Sequence, residues 1–215
     1  MLNLILIFLV VLLGGCATSR QPQLNFTVES LASPTAKNRK TYPLISGNSG
    51  VLKQDLQFQE YESYLIRALN SQGFISAKSE EDADLAIVLS YGIGDPQTQQ
   101  YSYTLVEKAA SSAKKYGTHV ITGYSTVWAS RTTFFRYAII TGYNFSGFKE
   151  SGKPVQLWQT TISSRGSSRD LKRIFPMLVG AALPYLATNT EQKVPVSLSE
   201  SDKVVKIVKG EISEQ

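Results

Sequence analysis

The chain has 215 residues, with 22 Lys and Arg against 17 Asp and Glu, one His and one Cys. A net charge of +5 is far from the dense basic field of a nucleic-acid binder, and no nucleic-acid partner is expected. One Cys permits no disulfide within the chain, and a single His leaves a zinc site without a ligand set.

Leu4 to Leu13 is an unbroken apolar run of ten residues. A membrane-spanning helix needs about 20, so this is the length of a secretory-signal core. The string Leu13-Gly14-Gly15-Cys16 resembles the lipobox of bacterial lipoproteins, in which the signal is cut before the Cys and the thiol is acylated. The resemblance implies a signal over residues 1–15 and the lipid bilayer as a partner through acylated Cys16. Several acyl chains hold stably where one does not. Ala17 rather than Asp after the Cys implies the outer membrane, on the leaflet facing the periplasm. No Lys or Arg precedes Arg20, so either the true start differs from Met1 or the signal lacks its positive cap.

Residues 16–23 read as a lipidated tether, residues 24–188 as one domain, and residues 189–215 as a C-terminal tail or edge strand. Leu24 to Val28 alternates with period two, as a strand does. The stretch from Ser33 to Gly50 is loop-like, with Tyr42-Pro43-Leu44-Ile45 able to dock on the core. Phe58, Tyr61, Leu65, Ala68 and Leu69 share one face of a helix over Phe58 to Gln72. Gly73 ends that helix, so that Phe74-Ile75 can pack back beneath it. Asp84 to Tyr91 is a dense apolar run and predicts a central strand, closed by Gly92-Ile93-Gly94-Asp95-Pro96.

The stretch from Gln97 to Tyr116 reads as an insertion, with either a short helix over Leu105 to Lys115 or no regular structure. His119 to Ala129 and Thr132 to Phe148 predict two strands, joined by a hairpin connection at Ser130-Arg131-Thr132. Val155 to Ser163 predicts another strand. Leu171 to Leu186 has helical spacing, starting near Phe175 or bending at Pro176, with Ser167 or Ser168 as a cap before Asp170. Lys203 to Lys209 alternates imperfectly and reads as an edge strand or as a tail that pairs with a partner. The fold class is α+β: a mostly antiparallel sheet with two principal helices packed on one face.

Three stretches carry a family resemblance. They are Glu60 to Phe74, the acidic-to-apolar segment Glu81-Asp82-Ala83-Asp84-Leu85-Ala86-Ile87-Val88, and the Trp-centred strand Pro154-Val155-Gln156-Leu157-Trp158-Gln159-Thr160. In this order they resemble a family of small bacterial envelope lipoproteins whose shared domain has no assigned function. The resemblance spans Leu24 to Leu186 and implies a fold and an envelope location. It carries over no active site.

No constellation of catalytic residues stands out. Gly47-Asn48-Ser49-Gly50 and Arg165-Gly166-Ser167-Ser168 both miss the Gly-x-Ser-x-Gly of a nucleophile elbow. His119, the one candidate base, opens an expected strand. Glu80, Glu81, Asp82 and Asp84 cluster without the frame of a calcium loop. Gly92-Ile93-Gly94 lacks the third glycine and the helix of a dinucleotide loop. No cofactor or metal is expected.

Aromatic residues are the unusual content, and two accounts of them stand. One is cross-strand packing within the sheet. The other is a contact surface, for which the candidates are Tyr101, Tyr103, Tyr124, Trp128, Tyr143 and Trp158. The expected function is that of a non-catalytic, membrane-anchored lipoprotein. It would act in envelope integrity or assembly through an envelope protein partner or as a homo-oligomer. The alternative is a lipid- or glycan-binding transport factor with an apolar pocket.

Overall fold

The computed structural model describes residues 21–38, 40–79, 81–108, 121–145 and 152–213. The expectations for residues 1–15, Cys16, Ala17, Glu80 and His119 lie outside these residues.

The described residues form an α+β domain with a mostly antiparallel, mixed sheet of seven strands and three α-helices. The strands are β1 (Leu24–Ala32), β2 (Thr41–Tyr42), β3 (Leu44–Ser46), β4 (Ile75–Ser76), β5 (Leu85–Ile93), β6 (Gln97–Lys108), β7 (Ile121–Asn144), β8 (Val155–Gly166) and β9 (Val194–Leu198). The helices are α1 (Leu56–Ser71), α2 (Leu171–Ala182) and α3 (Lys203–Lys209). The sheet order is β3-β5-β7-β8-β1-β9, with β6 paired to the outer part of β7. Only β3–β5 is parallel within this sheet, and β2–β4 forms a separate parallel pair.

Strand alternation sets the core. Leu85, Ile87, Leu89 and Tyr91 of β5 lie on the same side as Ala138 and Ile140 of β7 and Trp158 and Ile162 of β8, and all are buried. Phe26 and Val28 of β1 continue that face. Tyr61 of α1 meets Tyr91 edge-on at 4.8 Å between ring centroids and stacks on Phe175 of α2 at 3.9 Å. Phe175 also meets Tyr91 at 5.7 Å, so both helices reach the buried side of β5. The β5 strand lies second from the sheet edge, not at its centre, and its Val88 and Ser90 are only half-buried.

Local chemistry explains the helix ends. Gly73 takes a φ of 78°, which lets its N–H reach the Asn70 carbonyl at 2.9 Å and the Phe74 N–H reach Leu69 at 3.0 Å. Phe74 is turned inward onto Tyr42, whereas Ile75 stays exposed. Tyr42 and Leu44 dock on the core as expected, and Ile45 does not. Asp170, not Ser167 or Ser168, caps α2: its carboxylate accepts from the Arg173 N–H at 3.0 Å. The helix then runs through Pro176 without ending. The ring is buried, beyond the first turn whose N–H groups need no helical partner.

Three expectations are corrected. The stretch from Ser130 to Thr132 is not a turn; β7 runs straight through it as a strand of 24 residues. Gln97–Lys108 is a strand, so Leu105 to Lys108 do not open the short helix expected over Leu105 to Lys115, whose remaining residues lie outside the described ones. Lys203–Lys209 is a helix, not an edge strand: Val204 and Val205 fall one helical turn before Val208, and Val205 and Val208 are buried. The edge strand of this region is β9, which pairs with β1 from Leu24↔Leu198 to Val28↔Val194.

Candidate functional site

β5 and β6 run consecutively along the same side of β7. Residues 85–93 pair with residues 144–136, and residues 97–108 pair with residues 133–121. The ladder is carried across Asp95-Pro96 by the Gly94 N–H, which donates to the Phe135 carbonyl at 2.7 Å. β8 follows β7 on its other side only as far as Phe134. Beyond that point β6 and residues 121–133 form a two-stranded ribbon that leaves the sheet. Twelve residues of β6 give it a length of about 40 Å at ~3.3 Å per residue. Among the described residues neither outer edge of this ribbon has a strand partner.

The register assigns its faces. Tyr101↔Ala129, Tyr103↔Val127 and Leu105↔Ser125 occupy one face. Ser102↔Trp128, Thr104↔Thr126 and the position of Tyr124 occupy the other. Both faces are open to solvent: Trp128 is 73% exposed, Tyr124 70%, Tyr101 49% and Tyr103 45%. Tyr101 and Tyr103 lie 6.3 Å apart between centroids, which shields little of either ring. No side chain from Gln97 to Val106 or from Ile121 to Ser130 carries a charge. Free strand edges are ordinarily guarded by Lys, Pro or bulges. Here the one irregularity falls between Glu107 and Lys108, at the far end.

Of the six aromatic candidates, the structure gathers four on the ribbon. Tyr143 lies apart, half-buried at the inner end of β7. It lines a hollow of about 360 Å³ with Ile45, Ala86, Val88 and Pro154. Trp158 is not surface at all. It is 1% exposed, lies over Gly142, where a Cβ would collide with the indole, and its ring is 6.1 Å from Phe74. Its expected place in a contact surface is corrected: the strand alternation turns it into the core. Sequence reasoning missed Leu105, which is exposed beside the tyrosines, and Arg136, which is buried. The signal for the first was the long uncharged stretch. For the second it was a lone charge on the buried parity of Ala138 and Ile140.

Among the described residues no three His, Cys, Asp or Glu side chains come together to hold a metal ion, and no helix is long and apolar enough to cross a membrane. No family model and no curated protein matches the chain. Two solved bacterial structures are similar. A PDZ domain protein from Parabacteroides distasonis ATCC 8503 has 10% identity and a TM-score of 0.39 over 82% of this chain. A DUF4136 family protein from Bacteroides thetaiotaomicron VPI-5482 has 14% identity and a TM-score of 0.42 over 77%. The chain spans 39% of the first protein and 98% of the second. These scores are low, and no family follows from them.

Proposed function

We propose that this chain is a non-catalytic lipoprotein, held at the periplasmic face of the outer membrane through acylated Cys16. It acts in envelope integrity or assembly by docking its β6–β7 ribbon onto a protein. In this reading α1 and α2 cover one face of the sheet and act as ballast, and the ribbon is the working part.

The observation that carries the reading is the ribbon itself. An isolated two-stranded hairpin is at best marginally stable in water. This one places Tyr124 and Trp128 on one face and Tyr101, Tyr103 and Leu105 on the other, all exposed. A neighbouring strand added to either edge would satisfy the free backbone groups and cover the rings. The partner is a second copy of the chain or another envelope protein. The anchor strengthens such docking: confinement to a membrane raises the local concentration, so weak contacts suffice.

The test is cross-linking of the intact chain in its native envelope, set beside a Tyr124→Ser/Trp128→Ser double variant and a Cys16→Ser variant. The reading expects a stoichiometric protein adduct or a homo-oligomeric ladder from the parent. Both are lost in the double variant, and Cys16→Ser leaves the membrane fraction. An unchanged adduct in the double variant would overturn the ribbon's role. The carrier reading rests on the hollow beside Tyr143, whose volume is at the lower end for small-molecule sites. It predicts co-purification of one lipid or glycan with no protein adduct.

A further inference from the structure

Arg136 enters β7 on the buried side of the sheet and is 1% exposed. Its Nη2 donates to Ser164 Oγ at 3.0 Å, and its Nη1 reaches the Ser168 carbonyl at 3.4 Å. Its Nε has no hydrogen-bond partner. No carboxylate pairs with it among the described residues. The ion pairs there join Lys172 to Glu60, Arg173 to Glu200, Lys193 to Glu29 and Lys209 to Glu211. β7 and β8, the strands on which its surroundings are built, contain no Asp or Glu. A buried cation without a counter-charge is costly, and proteins keep such groups paired or put them to use.

A hollow of about 370 Å³ opens onto this guanidinium. Arg136, Ser167, Ser168 and Arg173 contribute polar lining, and Ile174 and Met177 of α2 contribute apolar lining. Glu200 also lines it but is already engaged by Arg173. Gly166 lets the guanidinium lie close against the β8 backbone, since a Cβ there would lie 2.7 Å from Arg136 Nη2.

We propose that this hollow is a phosphate-binding site, with the Arg136 guanidinium as its central ligand and the Ser167 and Ser168 hydroxyls beside it. Guanidinium N–H groups match phosphate oxygens in fixed geometry, and the pairing strengthens where water is excluded. A phosphate has oxygens enough for two guanidinium groups and the hydroxyls, and its negative charge supplies what Arg136 lacks. The site is independent of the ribbon. Its lining includes Gln21 and Pro22, five and six residues beyond Cys16. On the anchored reading that is within about 20 Å of the membrane at ~3.4 Å per residue. A lipid phosphate and a free phosphate both have the required chemistry.

The experiment follows the Arg136 Nε–H resonance, assigned by its loss in Arg136→Met, in the full chain purified in non-ionic detergent. The titrants are inorganic phosphate and, separately, dihexanoyl phosphatidic acid. A saturable shift with inorganic phosphate supports a free-phosphate site. A shift with the phosphatidic acid alone supports a headgroup site. In Gly166→Ala the affinity drops by about tenfold as the added methyl displaces the fork. Arg136→Met unfolds at the same temperature as the parent or higher in phosphate-free buffer, because a buried unpaired charge has gone, and its midpoint no longer rises with phosphate. The proposal is overturned if neither titrant moves the resonance. Should Arg136→Met fail to fold, the resonance is assigned by its displacement in Gly166→Ala, whose added Cβ lies against Arg136 Nη2, and the parent and Gly166→Ala titrations decide it.

Discussion

In β7, Arg136, Ala138, Ile140 and Gly142 lie on the same side of the strand as Tyr124, Thr126 and Trp128. The inner set is buried, and the outer set is bare. Nothing in the strand's own alternation separates them. The inner half has β5 on one side and β8 on the other, and α2 packs against β7. The outer half has β6 alone. Burial is thus conferred by neighbours rather than by the strand. A half-strand with aromatic residues and β6 as its one neighbour among the described residues leaves apolar surface uncovered. The two tryptophans mark the contrast: Trp158 lies in the core, and Trp128 is 73% exposed.

The contrast can be broken most severely at the core. Trp158→Ala should cost about 3–5 kcal/mol in urea unfolding, the range for emptying a large buried aromatic site. Trp128→Ala should change stability by no more than about 0.5 kcal/mol. Equal costs would mean that the ribbon's rings are packed. Thr126→Lys, one charge in the uncharged stretch from Ile121 to Ser130, is expected to leave the unfolding midpoint in place and weaken association by about tenfold or more, since charge is what guards free edges. Sedimentation at several concentrations measures it.

A third prediction concerns Tyr61, whose burial between Tyr91 and Phe175 pushes its phenol up to about 12 from an ordinary value of 10.0. The neutral form is favoured in the folded state, so the stability it contributes is complete below pH 10. It falls as the pH rises from there through the folded value near 12. Tyr61→Phe should flatten that alkaline decline in unfolding measurements. The smallest effect is at α2, where Asp170→Ala removes the cap on the Arg173 N–H and should lower stability by about 1 kcal/mol in the same urea assay.

Where apolar residues repeat at one clear period, the elements were legible in advance: α1 from Phe58 and Tyr61 through Leu69, β5 from its apolar run, β8, and the apolar spacing of α2. The errors fall where period and solvent exposure part company. Ser130-Arg131-Thr132 is polar because both faces of the ribbon meet water, and polarity there resembles a turn. It contains no Gly or Pro, and each residue pairs in register with Gln100, Gln99 and Thr98. Val204, Val205 and Val208 fit a helix, but seven residues are too few for periodicity to decide against a strand. Four ribbon aromatics drew attention in the sequence because they are unusual in number, and the structure shows them exposed. Trp158 was grouped with them because residue type alone does not reveal which side of a strand faces the core. Arg136 was missed for the same reason.

The central claim, that the ribbon is the docking element, is tested most directly by placing a photo-reactive residue at position 128 and, separately, at position 31. Leu31 is also exposed, but on the sheet itself. The intact chain is then irradiated in its native envelope. The account predicts a discrete protein adduct or a dimer from position 128 and none of comparable yield from position 31. Equal adducts from both positions, or none from 128, would contradict it.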